Sequence, residues 1–158
     1  MAYSRIAVGY DGSAAAQYAL DWAACQAAAS GATVLVVTAW PAGRGRRDAD
    51  AVLSDRMRLH RMQRRGVAQA VAGLPRPPLV AREIVLAEPV TALAHAAAFA
   101  DMVVVGSDAA EAMRPGSVAA VLARRLSRAR RAGPAPVVVV ATKDRFERPA
   151  VSEDARAA

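Results

Sequence analysis

The chain has few of the residues that build disulfides, metal sites and aromatic cores. Cys25 is its only cysteine, so it can form neither an intrachain disulfide nor a metal site of several cysteines, and we expect a reducing, cytoplasmic environment. His60 and His95 have no cysteine, histidine or carboxylate partners at ligand spacing, so no metal site is predicted. Aromatic residues make up only 4% of the chain, so valine, leucine, isoleucine and alanine must form the core.

Long apolar runs and catalytic arrangements are also missing. No stretch approaches the roughly 20 apolar residues of a membrane helix, so no membrane association is expected. Asp11 follows the first short apolar run, so we expect no signal peptide. No Ser-His-Asp, paired-carboxylate or Cys-His arrangement can be placed by spacing, so we predict that the chain is not an enzyme.

Short apolar runs alternate with helical patterns along the 158 residues. Strands are predicted at 5–9, at 32–40, at 79–86, in a run that begins at Asp101, and at 136–141. Helices are predicted at 14–30, at about 51–74, from Pro89 onwards and at 117–131, with a loop over 42–50. This alternation predicts a single-domain α/β fold over residues 1–142, with an open parallel sheet, helices on both faces and a disordered tail over 143–158. In the last helix Val118, Val121, Leu122 and Leu126 are predicted to face inward.

Three of the predicted strands end in residues suited to a ligand site. Asp11, Thr38 and Gly106 all fall at carboxyl ends of strands, where open α/β sheets bind their ligands. Gly106-Ser107 leads from a buried strand through a polar loop to Gly116-Ser117-Val118 at a helix start. Such a loop gathers backbone N–H groups and favours a phosphate.

These residues resemble the universal stress protein family over about residues 2–142. The resemblance implies a Rossmann-like five-stranded sheet of order 3-2-1-4-5 and a homodimer that pairs its last strands through Val137, Val138, Val139 and Val140. It also implies a nucleotide site for ATP with Mg²⁺, formed by Asp11, Thr38, Ala39, Gly106, Ser107, Gly116, Ser117 and Val118. The motifs that carry it are Ile6-Ala7-Val8-Gly9-Tyr10-Asp11-Gly12-Ser13, residues 32–40, Leu86-Ala87-Glu88-Pro89, Val103-Val104-Val105-Gly106-Ser107, Gly116-Ser117-Val118 and residues 134–140.

The glycine loop departs from the family's ATP-binding pattern, which is Gly-x-x-Gly, nine residues, then Gly-Ser/Thr. Ala109 stands at the second glycine, and only residues 110–115 separate it from Gly116. The Cβ of alanine resists the conformations and the close phosphate approach that glycine allows. Asp108 and Glu111 add negative charge where phosphates would lie. We therefore expect weak or absent ATP binding.

Several candidate residues have a structural explanation beside the functional one. Asp11 suits an Asx turn ahead of Gly12, and Ser117 suits a helix N-cap whether or not it meets a phosphate. Thr38 and Ala39 suit plain strand packing, and Gly106 is predicted to serve a tight turn with or without a ligand. Cys25 is interpreted as an inert small residue in an alanine-rich helix.

An arginine-rich segment leaves a further function open. The chain carries a net charge of +7, and residues 44–65 contribute a local net charge of +5. A solvated face is the simpler interpretation, and a docking surface for an acidic protein or a nucleic acid is the alternative. No aromatic residues interleave with the arginines, which disfavours nucleic acid. The leading hypothesis is thus a non-catalytic stress regulator that acts through a protein partner, with an adenine-nucleotide switch and a polyanion binder as alternatives.

Overall fold

The computed structural model describes residues 4–41, 43, 48–108, 114–128 and 136–141. Most of the predicted 42–50 loop, Ala109 and Glu111 of the glycine loop, and the predicted tail over 143–158 lie outside these ranges. None of the helices in the described part of the chain is long and apolar enough to cross a membrane.

Five parallel strands form one sheet in the order β3-β2-β1-β4-β5, which confirms the predicted fold class and strand order. The strands are β1 (Arg5–Gly9), β2 (Thr33–Ala39), β3 (Val80–Val85), β4 (Met102–Ser107) and β5 (Val137–Ala141). The helices are α1 (Ala14–Ser30), α2 (Ala49–Val71), α3 (Pro89–Ala97) and α4 (Val118–Arg128). The order reverses between β1 and β4, and this reversal determines where a ligand site can form.

The two faces of the sheet carry separate apolar clusters. On β1, Ile6 and Val8 belong to the cluster under α1 and α2, whereas Ala7 belongs to the cluster under α3 and α4. Because both faces are covered, the central strands read as nearly continuous apolar runs. The buried face of α1 consists of alanines and one leucine, and such small side chains allow a helix to lie close to the sheet.

Helix ends follow local capping chemistry. Ser13 caps α1, since its hydroxyl accepts from the Ala16 N–H at 3.2 Å, and Gly31 ends that helix in the left-handed region with a φ of 77°. Asp48 caps α2 by accepting from the Ala51 N–H at 2.7 Å. Helix α2 therefore begins at Ala49, two residues before the predicted start.

Helix α4 differs from the prediction in its first turn. Ser117 caps the helix, because its hydroxyl accepts from the Ala120 N–H at 3.2 Å. The predicted inward position of Val118 is wrong, since Val118 is 40% exposed and Ala119 is buried in its place. Leu122 and Leu126 are buried as predicted, and Val121 is half-buried.

Asp101 joins β1 to β4 at the amino edge of the sheet. Its Oδ2 atom accepts from the backbone N–H groups of Ser4 at 2.8 Å and Arg5 at 2.9 Å. These two hydrogen bonds lower the pKa of the Asp101 carboxyl below its ordinary value. This carboxylate therefore stabilises the fold at the end of the sheet opposite the ligand edge.

Candidate functional site

A cavity of about 560 Å³ lies at the carboxyl edge of the sheet, where the strand order reverses. Its lining includes Gly9 at the end of β1, Ala39 at the end of β2 and Ser107 at the end of β4. Apolar side chains from β2, α3 and β4 form much of its wall, and a few polar groups interrupt them. That combination is typical of a small-molecule site.

Two helix N-termini meet at this cavity. The first turn of α1 contributes Ala14, Ala15 and Ala16, and the start of α4 contributes Val118 and Ala119. The first N–H groups of a helix have no partner within that helix, and the helix dipole adds about half a positive charge at its N-terminus. The cavity is therefore suited to an anionic group without the help of a charged side chain.

The side-chain charges in the lining are negative. Asp11 and Asp108 line the cavity, and no lysine, arginine or histidine does so among the described residues. Arg114 is exposed, and its carbonyl accepts from the Ser117 N–H at 3.0 Å as the chain enters α4. Among the described lining residues, the favourable partial charge for an anion therefore comes from backbone dipoles.

Asp11 adopts the turn that its sequence predicts and also lines the cavity. Its Oδ1 atom accepts from the Ser13 N–H at 2.9 Å, which is an Asx turn. Gly12 has a φ of 83°, and the Met62 sulfur lies 2.6 Å from where a Cβ would stand. The positive φ favours glycine at this position, whereas the flexible Met62 side chain could move aside. The exposed Asp11 carboxylate is held beside the cavity.

The predicted tight turn at Gly106 is wrong. Gly106 lies in the extended strand β4, opposite Val140 of β5, and its φ is not in the left-handed region. A Cβ on Gly106 would collide with the carbonyl group of Ala15 and would lie 2.7 Å from the Ala16 nitrogen. Glycine is needed because the first turn of α1 packs directly on this strand, which brings that helix N-terminus to the cavity.

Thr38 lies next to the cavity but is turned away from it. It is only 2% exposed, and its hydroxyl donates to the Tyr10 carbonyl oxygen at 2.7 Å. The same hydroxyl accepts from the Gln63 side-chain amide at 2.9 Å. Ala39 lines the cavity, whereas Thr38 is not part of the lining.

Sequence reasoning missed Gln63, which is fully buried on α2. Its amide nitrogen donates to Thr38 and to the Glu83 carbonyl oxygen at 2.9 Å, whereas its Oε1 atom has no hydrogen-bond partner. Gln63 therefore joins α2 to β2 and β3 just below the cavity. The available signal was spacing, because Gln63 precedes Val67 by four residues and Ala70 by seven, which places all three on one helix face.

Tyr10 connects the cavity wall to α1 and α2, the two helices on one face of the sheet. Its hydroxyl donates to Gln17 Oε1 at 2.8 Å, and the Gln17 amide donates to Asp21 at 2.9 Å and to the Gly66 carbonyl oxygen at 3.1 Å. Burial, followed by the nearby carboxylates of Asp11 and Asp21, raises the pKa of the Tyr10 hydroxyl. A Cβ on Gly66 would collide with that hydroxyl, so this glycine makes room for the network.

The remaining predicted residues divide between the cavity and its surroundings. Ser107, Ser117 and Val118 line it, with Ser107 and Ser117 nearly buried. Gly116 is not part of the lining, and a Cβ on it would meet nothing within 4 Å. The predicted interface residues 137–140 lie on β5, which forms one edge of the sheet and pairs with β4.

Across the described ranges, no group of three or more histidine, cysteine, aspartate and glutamate side chains is placed to hold a metal ion.

The profile of the Universal stress protein family matches residues 2–141. The chain belongs to the universal stress protein family. None of the curated protein sequences matches this universal stress protein.

Solved structures of the family share the fold. A universal stress protein in complex with cAMP is 27% identical, with a TM-score of 0.67, and the match covers 90% of this chain and 99% of that one. A family member from Burkholderia pseudomallei is 25% identical with a TM-score of 0.57, covering 87% and 96%. UspA from Lactobacillus plantarum is 22% identical with a TM-score of 0.66, covering 89% and 99%, and it supports the fold alone.

Proposed function

We propose that this universal stress protein is a non-catalytic regulator whose cavity binds an adenine nucleotide of low charge and binds ATP weakly. The observation that carries the proposal is the meeting of two helix N-termini at one cavity that also contains two carboxylates. The similar protein solved with cAMP supports an adenine nucleotide as the ligand.

The dimensions and lining of the cavity suit such a ligand. Its volume of about 560 Å³ lies within the range of roughly 300–1,000 Å³ that small-molecule sites occupy. Val37, Ala39 and Leu93 offer apolar contact to a flat base. The Asp11 carboxylate is an acceptor for a base amino group or a ribose hydroxyl, and the starts of α1 and α4 are donors for a phosphate.

The charge balance favours one phosphate over three. Two helix N-termini together supply about one positive charge, which matches a cyclic phosphodiester. Each further negative charge placed about 4 Å from Asp11 or Asp108 costs roughly 4 kcal/mol at an effective dielectric of about 20. ATP carries several such charges, and the described lining offers no arginine or lysine to offset them.

Mg²⁺ would change this balance. Carboxylate oxygens are ligands that Mg²⁺ prefers, and Asp11 and Asp108 bring two of them to the cavity. The ion would supply positive charge beside a polyphosphate. Any affinity for ATP should therefore depend on Mg²⁺, whereas affinity for a cyclic monophosphate should not.

A cavity-filling variant tests the assignment with cAMP as the probe. Ala39→Phe places an aromatic ring in the lining, whereas Ala81→Phe adds the same ring at an exposed position on β3. We expect cAMP to raise the melting temperature of the wild type and of Ala81→Phe, and to leave Ala39→Phe unchanged. A shift that persists in Ala39→Phe would contradict the placement of the ligand, and no shift in any of the three proteins would contradict the function.

We further propose that the protein works in the cytoplasm as a homodimer and regulates a partner protein. The edge position of β5 supports the dimer, because an exposed edge strand tends to be covered by a second chain. The single cysteine supports a reducing compartment. The lack of a catalytic arrangement in the sequence supports regulation through another protein.

A further inference from the structure

The first part of α2, residues 49–62, has no buried residue, and we call it the α2 arm. The first buried side chain of the helix is Gln63. At a rise of about 1.5 Å per residue, the arm is roughly 21 Å long, and Met62 at its end packs against the core.

The α2 arm exposes large apolar side chains. Leu53 is 58% exposed and Met57 is 53% exposed, and the two are one helical turn apart on the same side. Arg61 and Arg64 continue that side toward the body of the protein, and both are exposed. An apolar pair followed by two arginines is therefore presented along one side of the helix.

The charge around this pair is strongly positive. Within α2, five arginines stand against two aspartates, and Asp55 pairs with Arg58 at 3.2 Å. Arg44, Arg46 and Arg47 precede the helix in the sequence. A partner that covers Leu53 and Met57 must therefore tolerate or neutralise an excess of positive charge.

The positive charge of α2 disfavours several of the molecules or segments that could cover Leu53 and Met57. A second copy of the arm would bring arginines against arginines, which is unfavourable. The C-terminal residues 142–158 carry four basic and four acidic side chains, so they offer no net complementary charge. A nucleic acid would pair with the arginines but would leave the apolar pair uncovered, and residues 44–65 contain no aromatic residue for base stacking.

We propose that the α2 arm docks an acidic amphipathic helix of a partner protein. Apolar residues one turn apart on that helix contact Leu53 and Met57, and its flanking carboxylates pair with Arg61 and Arg64. Met57 adds an adaptable contact, since methionine side chains fit irregular apolar surfaces. None of these residues lines the cavity, so the proposal stands whether or not the cavity binds a nucleotide.

The test selects binders without assuming their sequence. A displayed library of helical peptides, randomised at their exposed positions, is selected on the full-length protein, and selected peptides are measured by fluorescence anisotropy. Leu53→Gln with Met57→Gln removes the apolar pair, and Arg61→Glu with Arg64→Glu reverses the charge. Leu79→Gln is the control for the apolar pair and Arg76→Glu is the control for the charge reversal, since both residues are exposed and lie outside α2.

We expect the selected peptides to carry apolar residues one turn apart and an excess of glutamate and aspartate. Each double variant should weaken their binding by at least about tenfold, and both controls should leave it unchanged. Peptides of basic or neutral character, or peptides that bind the double variants fully, would overturn the proposal. So would tighter binding of a single-stranded oligonucleotide, or a change of oligomeric state in the Leu53→Gln, Met57→Gln protein.

Discussion

Replacing Gly106 by alanine tests how the cavity is assembled. The new Cβ would overlap the Ala15 carbonyl group and would lie 2.7 Å from the Ala16 nitrogen. Both partners are backbone atoms of a helix packed on the sheet, so no side-chain rotation can relieve the overlap. The first turn of α1 must therefore move away from β4, and one of the two helix N-termini moves with it.

The expected cost is that of an overpacked core. Inserting a methyl group into a closely packed interior typically costs about 1–3 kcal/mol. For a domain of this size such a loss lowers the melting temperature by about 3–10 °C. Gly116→Ala is the matched control, since its Cβ would meet nothing within 4 Å and its φ is not left-handed. That variant should be neutral or gain up to about 1 kcal/mol, because alanine restricts the unfolded chain.

The assay is urea unfolding of the wild type and both glycine variants, followed by circular dichroism. We expect the midpoint to fall for Gly106→Ala alone, with affinity for cAMP falling in the same variant. Equal stability of Gly106→Ala and Gly116→Ala would refute the close approach of α1 to β4 as the reason for this glycine.

Three further outcomes are expected. Gln63→Leu removes the donor to the Glu83 carbonyl oxygen and should lower the free energy of unfolding by about 1–3 kcal/mol. Gln26→Leu, on the exposed side of α1, should change it little. Equal urea midpoints of the two variants would contradict this role of Gln63. The lowered pKa of Asp101 means that its stabilising contribution is present above the unfolded pKa of about 4 and is lost as the pH falls through the folded pKa. The urea midpoint of the wild type should fall between neutral and strongly acidic pH, and it should fall less in Asp101→Asn. An equal fall in both proteins would contradict the stabilising role of the Asp101 carboxylate. Sedimentation equilibrium at micromolar concentration should give the mass of a dimer, and a monomer mass would contradict pairing through β5.

The fold was largely predictable because its signals are local. A sheet covered on both faces needs continuous apolar strands, and serine, aspartate and glycine mark the helix ends. The position of Asp11 followed from the rule that parallel strands end at one edge, whereas Ala39 was implied by the family resemblance. None of these inferences required knowledge of which side chains meet across the fold.

The details of the site depended on tertiary contacts that no local pattern encodes. The role of Gly106 comes from α1, which is distant in sequence and approaches the strand because its own face is made of alanines. Thr38 turns inward because Gln63 and the Tyr10 carbonyl engage its hydroxyl. Val118 lies beside the cavity because Ala119, and not Val118, shares the buried helix face with Leu122 and Leu126.

The central claim is that this cavity selects an adenine nucleotide of low charge. Calorimetric titration of the purified protein with cAMP, and with ATP in the presence and absence of Mg²⁺, tests it most directly, once mass spectrometry has excluded a copurified nucleotide. We expect cAMP to bind independently of Mg²⁺, and ATP to bind more weakly by at least about tenfold and to bind better with Mg²⁺. ATP that binds as tightly as cAMP without Mg²⁺ would contradict it.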